Sequence, residues 1–369
     1  MKSSISETTA RRMLALTRAA LSGTTPDAHL FEGINEKTWS DLFKLLARQG
    51  VSAMTLNEAM RLPKELQPPT SLKYLWIVSI ENIEKRYLHR LETAQELFAH
   101  FKENNIRMLL FKGIALARLY PFHFYREFGD LDIFCAGKPK ESDDLLKRFC
   151  NKNGVESPLH TDFLYRGVLI ENHHTFLSHK SYDSFYNSKD LEQRLMTILT
   201  KSGIWNNSLP NDESLLFPPP DFDALYVMLH LINHWTCRIM LRHLCDLAVL
   251  FSTYKGQIDF TAYRDALQNA GLLKLADVFI ALSVSRLGLN PEYAPPYESD
   301  PVLENRIWND MLNPDILPED KRTLSDIVIY KLGLLRSRYW KYKMVYPHQF
   351  MKKIINTSFF YFFHPKAIR

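Results

Sequence analysis

The stretch Leu109–Phe134, LLFKGIALARLYPFHFYREFGDLDIF, constrains this chain more than any other. Its pattern predicts a short strand (Met108–Phe111), a Lys112-Gly113 turn, a helix (Ile114–Tyr120), a loop marked by Pro121, and a second strand carrying Asp130 and Asp132. Alternate strand residues share a face and lie about 6.6 Å apart, so the two aspartates project together. Adjacent carboxylates repel unless a cation lies between them, and a divalent metal is the usual one. A glycine opening a helix, with a lysine beside it, suits a phosphate.

A third acidic ligand is expected, because two aspartates alone rarely hold two ions about 4 Å apart. The segment HTDFLYRGVLIENHHTFLSHK predicts two strands about an Arg166-Gly167 turn. Alternation puts Leu169, Glu171 and His173 on one face and Ile170, Asn172 and His174 on the other, making Glu171 the candidate.

Taken together, Lys112-Gly113, Tyr120-Pro121, Arg126 and Gly129-Asp130-Leu131-Asp132 resemble the uncharacterised bacterial nucleotidyltransferases of the polymerase-β-type superfamily. The likeness runs from about Trp39 to Phe251, and Glu171-Asn172-His173 matches that branch's acid-x-His strand. The family's C-terminal helices carry His-x-x-x-His and Arg-x-x-x-Asp, matched here by His230/His234 and Arg242/Asp246. The resemblance implies Mg²⁺-dependent transfer of a nucleotidyl group from an NTP to an acceptor, with two ions and Mn²⁺ as a substitute. Asp130, Asp132 and Glu171 are then the catalytic and metal-binding residues, and Lys112, Gly113 and Arg126 bind the triphosphate. His173, His234 and Arg242 are secondary candidates. Acceptors compatible with the family are a sugar, a lipid-linked saccharide, a peptide or tRNA.

Two other classes use related features. Metal-dependent glycosyltransferases also carry Asp-x-Asp, but normally after a nucleotide-binding βαβ region, whereas about a hundred helical residues precede it here. A non-catalytic nucleotide-binding or assembly protein could keep the fold without turnover. The spacing of His230 and His234 can bind zinc, yet HLINH lacks the glutamate of a zinc hydrolase. Arg242 and Asp246 most simply form an intrahelical ion pair.

The predicted fold class is α/β (α+β): a small mixed sheet between helical flanks. The regions are 1–104, N-terminal helices; 105–188, the nucleotidyltransferase core; 189–290, a C-terminal bundle whose most apolar helix has Asp221 or Asp223 as its cap; and 291–369, a basic aromatic extension. From Ile327 onward there are nine Lys or Arg and no Asp or Glu, so the remainder of this +5 chain is net acidic. That tail, with FFYFF beside Lys352, Lys353, Lys366 and Arg369, suits either docking on the bundle or contact with a membrane surface. Four cysteines without a C-x-x-C pair, and no early apolar segment, point to the cytoplasm, peripheral to the membrane at most.

Overall fold

A computed structural model describes residues 5–150, 154–178, 185, 187–201, 215–313 and 324–346. The tail residues Lys352, Lys353, Lys366 and Arg369 lie outside them. The chain is α/β: thirteen α-helices and one five-stranded mixed sheet among the described residues. No helix there is long and apolar enough to cross a membrane.

Four helices come first: α1 (Glu7–Ser22), α2 (Glu36–Arg48), α3 (Ser52–Met60) and α4 (Thr70–Glu103). Ser6 caps α1 by accepting from the Thr9 N–H at 3.2 Å. The 34-residue α4 serves two cores. Its first half buries Leu72, Trp76 and Ile83 in a cluster that also takes in the C-terminal helices. Its second half buries Ala94, Leu97 and Phe101 behind the sheet.

The sheet is built from β1 (Leu109–Phe111), β2 (Asp130–Phe134), β3 (Val155–Glu156), β4 (His160–Tyr165) and β5 (Val168–His173), with α5 (Gly113–Ala117) between β1 and β2 and α6 (Pro139–Phe149) after β2. Strand order is β1-β2-β5-β4-β3. Only β2 and β5 run parallel; the other neighbours are antiparallel. Arg166 and Gly167 both have positive φ, 53° and 80°, which is the two-residue turn whose twist matches a hairpin. That turn sets the β4–β5 register.

The two faces differ. Leu110, Leu131, Ile133, Phe163 and Ile170 form the back, packed on α4 and α6. Asn172 shares that buried face because its amide donates to Ser142 Oγ at 2.8 Å and Asp143 Oδ1 at 2.7 Å on α6. The front carries Phe111 and Phe134 at one end, packed against Phe176.

The C-terminal helices are α7 (Ser188–Lys201), α8 (Pro220–Trp235), α9 (Leu241–Thr253), α10 (Phe260–Asn269), α11 (Leu273–Leu287), α12 (Pro301–Leu312) and α13 (Leu324–Val345). Neither aspartate caps α8. Pro219 holds the cap position and Pro220 the first turn, where a missing N–H costs nothing.

Candidate active site

The middle of the front face is polar. Parallel pairing sets Asp130 beside Leu169, Asp132 beside Glu171 and Phe134 beside His173. Antiparallel pairing then sets Asp162 beside Glu171 and His160 beside His173. Asp130, Asp132, Glu171 and His173 thus share one face, which also receives His160 and Asp162. A cleft of about 730 Å³ lies over it, closed on the other side by α8 and the start of α9. That volume suits a small-molecule ligand.

Lys112 turns inward. Its backbone, at φ 53° and ψ −116°, is in a region that non-glycine residues avoid, and such strain concentrates at functional sites. The ammonium donates to Asp132 Oδ1 at 2.6 Å and lies 3.5 Å from His173 Nε2. Burial alone would raise the Asp132 carboxyl, but Lys112 and His173 outweigh it and hold it well below the usual range. Burial likewise opposes the Lys112 charge, and Asp132 more than restores it, raising its pKa.

Asp130 is different. Its carboxylate pairs with no cation among the described residues, and burial, helped by Asp132 and Glu171, pushes its pKa up to about 6. An uncompensated acid beside two others is a site one positive charge short. Oxygen donors are what a hard divalent cation takes, and Asp130, Asp132 and Glu171 share the face that would hold it, although among the described residues the group whose ligand atoms lie within 4.8 Å of one another is His160, Glu171 and His173.

Gly113 lines the same cleft. A β-carbon there would lie 2.9 Å from the Phe128 ring, so only glycine lets that ring close in. The Gly113 carbonyl accepts from Arg126 Nη1 at 3.0 Å. Arg126 Nε and Nη2 donate to Asp246 Oδ1 and Oδ2 at 2.7 and 2.9 Å, a buried two-point pair. Arg126 therefore ties α9 to the glycine turn, and all three of its nitrogens are engaged within the protein. The expected Arg242–Asp246 pair gives way to this one. Arg242 Nη1 instead donates to the Glu127 carbonyl, and its buried Nε has no hydrogen-bond partner.

Across the cleft, His230 meets His234 edge to face, centroids 4.4 Å apart, and His234 stacks on His243 at 5.6 Å. Burial lowers all three pKa values, aided by Lys112 at His230 and His234 and by Arg242 at His243, which falls to about 3. This wall is neutral imidazole. His243 Nδ1 accepts from the Met240 N–H at 2.9 Å and so caps α9.

The residues that sequence reasoning missed are His160 and Asp162. Their signal was available: pairing across a two-residue turn at 166–167 carries the face of Glu171 and His173 straight onto them.

A family model described as an uncharacterised nucleotidyltransferase matches residues 35–288. No curated protein and no solved structure matches the chain.

Proposed function

The chain belongs to this uncharacterised nucleotidyltransferase family, and on that premise we propose that it moves the nucleoside monophosphate of an NTP onto an acceptor in the cleft over its sheet. The acceptor oxygen bonds to the α-phosphorus as the bond from that phosphorus to its bridging oxygen breaks, and pyrophosphate leaves. The observation that carries this reading is the convergence of Asp130, Asp132 and Glu171 on one sheet face, with Lys112 2.6 Å from Asp132.

In this proposal Asp130, Asp132 and Glu171 would hold Mg²⁺, two ions in all. Bound Mg²⁺ would offset triphosphate charge and acidify the acceptor hydroxyl. Glu171 lies at the acceptor end and takes the acceptor's proton. Lys112 exchanges Asp132 for a triphosphate oxygen, a move its flexible stem permits. Arg126 acts without touching the nucleotide, by fixing the Gly113 carbonyl and hence the turn that approaches the phosphates. Arg242 and the imidazoles of His230 and His234 form the opposite wall, against which the nucleoside rests. Catalysis is then largely positioning and charge stabilisation.

The test is an Asp130→Ala/Asp132→Ala double variant, compared with the wild type for NTP binding in Mg²⁺ and for pyrophosphate release. Loss of both is expected. Retention of Mg²⁺-dependent NTP binding or turnover overturns the assignment.

A further inference from the structure

His160, Glu171 and His173 bring one ligand atom each to within 4.8 Å of one another. Glu171 Oε2 lies 3.4 Å from His173 Nε2 and 3.6 Å from His160 Nδ1. A four-coordinate ion with bonds of about 2.1 Å spaces its ligands roughly 3.4 Å apart, so both edges from Glu171 already fit. The remaining nitrogen–nitrogen edge is within 4.8 Å, so a shift of at most about 1.4 Å in one imidazole closes it on the same bond lengths.

Two further observations point to a ligand here. His173 Nδ1 faces the Thr175 carbonyl at 3.4 Å, which leaves Nε2 turned to the carboxylates. Metal-bound histidines are held in this way through their other nitrogen. His160 Nδ1 and Asp162 Oδ1 stand 2.8 Å apart without a well-formed hydrogen bond, and Glu171 Oε2 is 3.6 Å from the same nitrogen. That nitrogen faces two carboxylates, an arrangement that a cation beside all three would satisfy.

We propose that His160, Glu171 and His173 form a site for a zinc-class divalent ion, with Asp162 beside it, distinct in chemistry from the all-oxygen Mg²⁺ position at Asp130 and Asp132. Two imidazoles and a carboxylate favour borderline metals, whereas Mg²⁺ demands oxygen ligands. The two positions share Glu171, but occupancy of the nitrogen site does not depend on nucleotidyl transfer. It has a consequence for that reaction all the same. A cation on His173 Nε2 repels the Lys112 ammonium 3.5 Å away and releases it from Asp132.

The test is titration of the metal-stripped full-length protein with Co²⁺, without nucleotide, read by visible absorption. Intense bands of a nitrogen-ligated, four-coordinate Co²⁺ are expected, displaced by Zn²⁺ and unmoved by excess Mg²⁺. His160→Ala and the milder His160→Gln should remove the bands and weaken Co²⁺ more than about 100-fold, beyond the 10–100-fold that an outer-shell loss costs. Asp130→Ala should leave them in place. Circular dichroism identifies any variant that fails to fold, and the two His160 replacements guard against reliance on one. A weak six-oxygen spectrum, or bands that persist in both His160 variants, overturns the proposal. Should NTP binding prove absent while histidine-dependent Co²⁺ bands appear, the nucleotidyl-transfer reading falls and this one stands.

Discussion

Asp130→Asn should make the metal-free protein more stable at pH 8 while removing its response to Mg²⁺. Burial and its acidic neighbours raise the Asp130 carboxyl from 3.8 to about 6. At about 1.4 kcal/mol per unit, a rise of roughly two units corresponds to about 3 kcal/mol. Solvent reaches part of the side chain, which reduces the expected gain to about 2 kcal/mol. The sign follows from linkage. A carboxyl whose pKa is raised by folding contributes stability that is complete below its unfolded value of 3.8 and lost as pH climbs through about 6. Asparagine mimics the neutral form, so its advantage is largest at pH 8 and shrinks to a few tenths of a kcal/mol near pH 4. Urea unfolding at both pH values, in a chelator, measures the difference. Adding Mg²⁺ at pH 8 should stabilise the wild type by mass action and leave the variant unmoved. A variant less stable than wild type at pH 8, or one with an equal gain at both pH values, would refute the reasoning.

Other substitutions probe the same constellation. Lys112→Met removes the cation competing for Asp132 and should tighten Mg²⁺ binding about tenfold, the value of one charge-assisted hydrogen bond. NTP affinity should fall in the same variant, and calorimetry with each ligand separates the effects. Arg126→Lys keeps the charge but loses the two-point grip on Asp246 and the bond to Gly113. A cost of roughly 2–3 kcal/mol in urea unfolding is expected, and wild-type stability would contradict the role given to Arg126. Gly113→Ala drives a methyl to 2.9 Å from the Phe128 ring, an overpacking cost of about 1–3 kcal/mol. A second change, Phe128→Leu, should recover most of it in a double-mutant cycle.

Where a feature of the site depends on local chain geometry, the sequence revealed it. The strand–turn–helix–strand of 108–134 and the 166–167 hairpin follow from alternation and turn chemistry, and they place Glu171 and His173 on one face. What joins distant segments was not legible. Nothing local fixes the parallel register that sets Asp132 beside Glu171, and the Asp246 partner lies 120 residues away at Arg126. The i, i+4 spacing of Arg242 and Asp246 suggested a pair within the helix, which is the right expectation for an exposed face. Asp246 is only 3% exposed, so it takes the buried cation that can hold it at two points. The contact of Lys112 with Asp132 is not legible either: the positive φ that swings the lysine inward has no sequence signature outside glycine.

The central claim is nucleotidyl transfer at the Asp130–Asp132–Glu171 face. Wild-type protein and Asp132→Asn should each be incubated with Mg²⁺, a cell extract and NTPs labelled on either the α- or the γ-phosphate. The account predicts that α-label passes to an acceptor fraction, that γ-label appears only in pyrophosphate, and that Asp132→Asn does neither. Transfer of γ-label to the acceptor, or transfer of α-label undiminished in Asp132→Asn, would contradict it.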